Sequence, residues 1–393
     1  MLKYIWKGGE IMPNIFDYLI WRSDLTFDNA EPNEIDALVF SELSYVPFEN
    51  IVPELGTNQS ISLAEASKRF FEINGEKFSL GLILPSDILV LLKKAAQSKR
   101  FSNVSLWGYK SDTCLDAEKQ FSAICFSYGK LTYVTYRGTD DTIIGWKEDL
   151  NMSLFTPVPS QKEGAEYLEE IAKLTQNKLI VTGHSKGGNI AVYSALNCPE
   201  KYHKRIEQVY SFDGPGFMNE YISHYKDIDI TEKITTILPS KSVVGRIFEI
   251  IGNYKIIKSS TKGLMQHDAF TWHILGTRFL ELPCFEKPSD NFHELLKAWV
   301  YKMPISQRHE FVDAFYKLAI SSDAATLTDI NSQKLRFIKA LLKTESSNKK
   351  AMFDAIFSLI KEKNAIASFK KAQLKMQKKA LKSAKKEETK KLK

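Results

Sequence analysis

A chain of 393 residues with 44% hydrophobic and 12% aromatic composition can bury a large core, and its length suits one large domain plus an accessory piece rather than a disordered polymer. The formal charge of +7 is local: residues 371–393 carry ten lysines against Glu387 and Glu388, a net of +8, which leaves the rest at −1 and argues against a basic nucleic-acid-binding body. No window approaches the ~18 uninterrupted apolar residues of a membrane span, since the strongest short run, Leu82 to Leu92, is broken by Pro85, Ser86 and Asp87.

At the start, Lys7-Gly8-Gly9-Glu10-Ile11 precedes Met12, and codons for Lys-Gly-Gly can resemble a bacterial ribosome-binding site, so translation from Met12 is an expectation. The first amphipathic turn is Asn14 to Leu19. A second helix is predicted over Glu34 to Tyr45, ended by Pro47 and Pro53, followed by helical stretches from Ser62 to Phe71 and from Pro85 to Ala96. Residues 1–115 thus read as a mainly helical extension without recognisable chemistry. Cys114, Cys125, Cys198 and Cys284 have neither C-x-x-C nor zinc-ligand spacing and read as buried thiols. No apolar leader with a cleavage site is visible, so a cytoplasmic location is expected.

The period then changes. Phe121 to Tyr128 and Leu131 to Tyr136, joined at Gly129-Lys130, read as a β-hairpin. A helix from about Lys162 to Leu174, a strand at Lys178 to Thr182, a helix after Gly187 and strands at Gln208 to Phe212 and Lys233 to Leu238 follow. Strands alternating with helices predict crossover units and a mostly parallel sheet with helices on both faces, so residues 116–285 are expected to form an α/β core. A ligand site is expected beyond the carboxyl ends of its strands. A helical run is also predicted over Asp268 to Gly276. Residues 286–370 read as a C-terminal helical region with breaks near Pro304, Thr326 to Asp329 and Ser346 to Asn348, and 371–393 as a solvated or disordered tail. Weak attraction to anionic lipid or RNA is the only partner reading the tail offers, and no specific protein partner is indicated.

Gly183-His184-Ser185-Lys186-Gly187 lies between a predicted strand and a predicted helix, the context of a nucleophile elbow. The bland alternative is a helix start capped by serine. A serine hydroxyl needs a base, usually a histidine oriented by a carboxylate. His267, after Gly263-Leu264-Met265-Gln266, is the candidate base, with a structural histidine beside a helix as the alternative. His184 is expected to pack or hydrogen-bond under the turn, His273 to sit at a core edge, and His203, His224, His293 and His309 occupy unremarkable polar stretches. Asp213, between Phe212 and Gly214-Pro215-Gly216, is the candidate acid, because the end of the next strand, Pro239 to Gly245, has no carboxylate; a turn-capping aspartate is the alternative. Backbone N–H groups of Lys186 and Thr139 are the candidate oxyanion hole. Arg137, Gly138, Asp140, Asp141, Trp146 and Asp149 are assigned to fixing the Thr139 loop.

Arg137-Gly138-Thr139 with Trp146 and Asp149, followed by the Ser185 elbow 46 residues after Thr139, resembles the class 3 lipase branch of the α/β-hydrolases. More narrowly, Asn14 to Arg22, Gly183 to Asn189, Ser211 to Gly216 and Gln266-His267-Asp268 resemble the bacterial Mbeg1-like family of unknown function, over roughly residues 12–285. The resemblance implies an α/β-hydrolase fold and lipase or esterase activity on a small-molecule or lipid ester, with no metal or organic cofactor. The chain departs from the class 3 pattern at Ser240 to Ser242, where that family carries its acid, and an aspartate after the preceding strand, as in other lipase branches, points to Asp213. A hydrolase-fold binding or scaffold protein with weak or no catalysis is the competing reading.

Overall fold

The computed structural model describes residues 12–225, 229–286 and 292–321, together with 326, 329, 345–348, 350–351, 353–355, 357–358 and 361. The expected start region before Met12 and the lysine-rich tail lie outside the described residues. Helices α1 (Ile15–Arg22) and α2 (Glu34–Leu43) each open with a capping box, Asn14 with Asp17 and Asn33 with Asp36, which gives the first backbone N–H groups their partners. After the two-residue strand β1 (Ile61–Ser62) come α3 (Leu63–Asn74) and α4 (Asp87–Gln97). Strands β2 (Ser105–Cys114), β3 (Lys119–Tyr128) and β4 (Leu131–Tyr136) form an antiparallel meander.

Next come α5 (Ile143–Asn151), α6 (Pro159–Leu174), β5 (Lys178–His184), α7 (Lys186–Asn197), β6 (Ile206–Phe212), α8 (Asn219–Ile222), β7 (Ile234–Pro239) and β8 (Asn253–Ile257). The eight strands pair in chain order, with β4 through β8 parallel. A small hairpin, β9 (Ile274–Leu275) and β10 (Arg278–Phe279), precedes α9 (Phe292–Lys302) and α10 (Ile305–Ser321). The mostly parallel, helix-flanked sheet is the one that the alternating pattern predicts, and the whole is the α/β-hydrolase arrangement that the family resemblance implies.

Strand alternation divides the core into two apolar layers. Ile124, Phe126, Tyr133 and Ile180 face the N-terminal helices, among them Phe40 and Leu43 of α2. Ala123, Cys125, Val134 and Val181 face α6 and α7 through residues such as Leu168, Ile190 and Ala191. The N-terminal helices therefore cover one face of the sheet. A buried ion pair fixes them: Arg100 Nη2 lies 2.6 Å from Asp36 Oδ2, and the Tyr18 hydroxyl donates to Asp36 Oδ1 at 2.7 Å. Such a pair is tolerated inside because each charge is matched and further hydrogen-bonded.

Several expectations are corrected. Strand β2 lies within the stretch read as mainly helical; its outer half, with Lys110, Ser111 and Asp112, is too polar to display a strand pattern. The predicted helix over Asp268 to Gly276 is instead a short 3₁₀ turn, Ala269–Thr271, followed by β9, because the segment pairs with its neighbours: His273 N–H donates to the Lys258 carbonyl and Ile274 N–H to that of Pro13. Not all the thiols are buried: Cys125 and Cys198 are, Cys114 is half-buried and Cys284 exposed. Among the described residues no helix is long and apolar enough to cross a membrane.

Candidate active site

The β5–α7 junction is a sharp turn. Ser185 has φ +56° and ψ −130°, a left-handed pose that costs a non-glycine residue energy and that surrounding packing must hold. A Cβ on Gly187 would collide with the Tyr136 carbonyl, so the turn works only with glycine there. Ser185 N–H donates to the Phe212 carbonyl at 2.9 Å, extending the β5–β6 ladder and fixing the serine at its end.

The β6 end is built similarly. Asp213 is fully buried, has φ +47°, and its N–H donates to the Ile237 carbonyl at 2.9 Å. His267 Nδ1 lies 2.7 Å from Asp213 Oδ2. The other carboxylate oxygen accepts from Ser242 Oγ at 2.5 Å and from Gly245 N–H at 3.3 Å. Thus the loop after β7, which lacks a carboxylate, surrounds the carboxylate of Asp213 with donors. With Oδ1 taken by those two donors, Oδ2 accepts from His267 Nδ1–H, the arrangement of the ring that leaves Nε2 free to take a proton.

His267 stands at the end of a 3₁₀ turn, Gly263–His267, held by Gln266: Lys241 N–H donates to Gln266 Oε1 at 2.8 Å, and Trp272 Nε1 donates to the Gln266 carbonyl at 2.7 Å. His184 lies beneath, with ring centroids 4.6 Å apart. Its Nε2 donates to the His267 carbonyl at 2.9 Å, so Nδ1 of the neutral ring is an acceptor, reached by the Tyr45 hydroxyl at 3.2 Å. Burial, and then the neighbouring His267, hold the His184 pKa well below the ordinary range, which keeps this imidazole uncharged.

The Thr139 loop leaves β4 beside the elbow. Thr139 Oγ1 donates to Asp149 Oδ2 at 2.6 Å; Arg137 pairs with Asp140 at 3.0 Å, and Asp140 accepts from Thr142 N–H at 2.9 Å. Gly138 gives room to Tyr45, whose hydroxyl occupies the space a Cβ would need. Burial raises the Asp149 carboxyl to about 6 against the opposing charge of Lys186. Lys186 opens α7, where the leading N–H groups lack partners one turn back and can meet an anion. Its side chain turns away into a buried cluster: Nζ donates to Glu148 Oε2 at 3.1 Å and to Gln120 Oε1 at 2.8 Å. Glu148 also accepts from Ser160 N–H at 2.8 Å, so this cluster docks α5 against the elbow.

Ser185, His267, Thr139, Lys186, Trp146 and Asp149 all line one cavity of about 720 Å³. Its other walls are mainly apolar: Leu82 to Pro85 and Ile88 on the N-terminal side, Val244 and Phe248 after β7, and Trp299 and Val300 of α9, Phe311 of α10 and Met303 in the link between those helices. Of the other sequence-predicted residues, Asp213 lies behind His267, and Arg137, Gly138 and Asp140 stand in the Thr139 loop outside the cavity wall. Missed by the sequence reading were helix α5, Ser242, Glu148, Tyr45 and Glu42. Glu42 belongs to α2, whose ten residues are all buried, polar ones included, and Tyr45 follows just beyond the end of that helix.

Glu42 lines the cavity with only 2% of its surface exposed, and burial, with a smaller push from Asp268, holds its carboxyl pKa well above the ordinary range. In the unfolded chain this group ionises near ~4.3, so folding loses stability as pH rises above that value toward the raised folded pKa. Glu42→Gln removes the penalty. Its Tm is expected to exceed that of the wild type by more at pH ~8 than at pH ~4; equal differences at the two pH values would contradict a neutral buried carboxyl.

No curated protein matches the chain. Solved structures similar to it include a mutant of MDLA from Penicillium cyclopium, at 13% identity and TM-score 0.36 over 65% of this chain and 90% of that one. Lip2 lipase from Yarrowia lipolytica is similar at 13% identity and TM-score 0.33, over 65% and 97%. The Rhizomucor miehei lipase propeptide complex is similar at 15% identity and TM-score 0.31, over 56% and 67%. Likeness at this level leaves function to be argued from the site itself. The model of the Mbeg1-like family matches residues 95–317, more than half of the chain, and the chain belongs to the Mbeg1-like family.

Proposed function

We propose that this protein is a serine hydrolase of carboxylic esters that works through an acyl-serine intermediate. The observation that carries the reading is the His267 Nδ1 to Asp213 Oδ2 contact of 2.7 Å at the wall of the cavity that also holds the Ser185 elbow. Ser185 Oγ attacks the ester carbonyl while His267 Nε2 takes its proton. The N–H groups of Thr139 and Lys186 receive the negative charge that develops on the carbonyl oxygen. The C–O bond breaks, and the alcohol leaves with the proton from His267. Water, deprotonated by the same nitrogen, then attacks the acyl-serine; the acyl–Oγ bond breaks, Ser185 Oγ takes the proton back from His267 Nε2, and the acid leaves. Asp213 keeps Nδ1–H in place and stabilises the imidazolium. The Arg137-Gly138-Thr139, Trp146 and Asp149 pattern supports a relation to class 3 lipases.

The apolar cavity walls, drawn partly from the N-terminal helices and partly from α9 and α10, favour an acyl chain over a polar substrate. Turnover of a partly insoluble ester is therefore expected to rise above the concentration at which aggregates form. A flat rate across that threshold would point to a soluble esterase. No turnover of short esters, monoacylglycerols, phospholipids or thioesters would favour the scaffold reading, whose support is the absent carboxylate after β7.

A further inference from the structure

Two carboxyls that line the cavity, Glu42 and Asp149, each hold a buried oxygen with no hydrogen-bond partner; Asp149 Oδ1 has Lys186 Nζ at 3.9 Å, whereas no lysine or arginine among the described residues pairs with Glu42. Glu42 Oε1 is buried and finds no hydrogen-bond partner among the described residues; His184 Nδ1, at 3.5 Å, is too distant for a good bond and already has the Tyr45 hydroxyl at 3.2 Å. A buried polar group without a partner is costly, and such a cost is sustained where a ligand supplies the partner. Four other observations narrow the ligand. Glu42 and Ser185 line the same cavity, so a group meeting Glu42 belongs to a molecule near the reacting ester. His184, which Glu42 approaches, lies against His267 with ring centroids 4.6 Å apart. Burial favours the uncharged form of the carboxyl, and that form offers one O–H donor and a carbonyl acceptor. That pairing matches a hydroxyl, which both donates and accepts, better than a cation or an anion.

We propose that Glu42 is a specificity group that hydrogen-bonds an aliphatic hydroxyl close to the scissile ester, so that the preferred substrates are hydroxyl-bearing esters rather than simple alkyl esters. This rests on the ester-hydrolase reading of the same site. The hydroxyl has two chemical sources: the alcohol part, as in a partial ester of a polyol, or the acyl part, as in a β-hydroxyacyl ester. Either one gives Glu42 its missing partner, whereas a ligand without it leaves the carboxyl buried and unmatched, which is how a polar site rejects an analogue.

The test measures binding to Ser185→Ala protein, where no turnover is needed, with ligands kept below their aggregation thresholds. Octyl glyceryl ether is compared with octyl methyl ether, and methyl β-hydroxyoctanoate with methyl octanoate. In at least one pair the hydroxyl-bearing ligand is expected to bind about 10- to 100-fold more tightly, and the pair that does so identifies the source. Adding Glu42→Leu should abolish the difference, while Glu42→Gln, which still donates and accepts, should keep most of it. Equal binding within both pairs would overturn the proposal, as would a preference that survives Glu42→Leu. Should Glu42→Leu not fold, Glu42→Met takes its place, and equal binding within both pairs on the Glu42 protein overturns the proposal without any substitution of Glu42. Discrimination without fluorophosphonate labelling of the wild type would refute the hydrolase reading but leave the hydroxyl site standing. Labelling without discrimination would do the reverse.

Discussion

Replacing Ser185 with alanine is expected to lower kcat on a short-chain chromogenic ester by on the order of 10⁶-fold, the loss seen when a triad nucleophile is removed, while the fold is kept. The size follows from chemistry: without Oγ no acyl-enzyme forms, and only binding and the oxyanion groups remain to assist water. Retention of the fold follows from packing. Alanine keeps a Cβ at the positive-φ position, and the elbow's backbone bonds, Ser185 N–H to the Phe212 carbonyl and Gly188 N–H to that of residue 185, need no side chain. Unchanged turnover in the folded variant would remove Ser185 from the mechanism.

The second large effect belongs to the acid. Asp213→Asn is expected to lower kcat by ~10²–10⁴-fold, since an amide in this position favours the wrong tautomer of the base. Ser242 Oγ and Gly245 N–H both donate to Oδ1, which an asparagine can accept through its own oxygen. Its NH₂ group then faces His267 Nδ1 and forces that nitrogen to accept, placing the proton on Nε2, where it cannot receive one from Ser185. A drop below about threefold would reassign Asp213 to supporting the turn and make Asp268 the next residue to replace.

The parts of the site legible in the sequence are those whose chemistry is local. The elbow is visible because glycines must flank Ser185 within five residues, and Asp213 because a strand delivers it directly into a glycine-rich turn. His267 could be singled out, but its setting could not: the pattern over Asp268 to Gly276 resembles a helix, whereas pairing with Lys258 and Pro13 draws it into a 3₁₀ turn and a short strand. The remaining contributors come from afar. Tyr45 meets His184 across 139 positions of chain and Ser242 meets Asp213 across 29, and neither contact leaves a local pattern. Glu42 is hidden differently, as a charged residue within a helix whose every position is buried. A sheet face and its covering helices settle such placements together, through packing that no short window contains.

Labelling of the purified full-length chain with a fluorophosphonate tests the central claim most directly, because the probe reacts with an activated serine and requires no knowledge of the natural substrate. The account predicts covalent labelling of the wild type at Ser185, lost in Ser185→Ala and much slowed in Asp213→Asn. A folded wild type that remains unlabelled, or labelling that persists in Ser185→Ala, would contradict it.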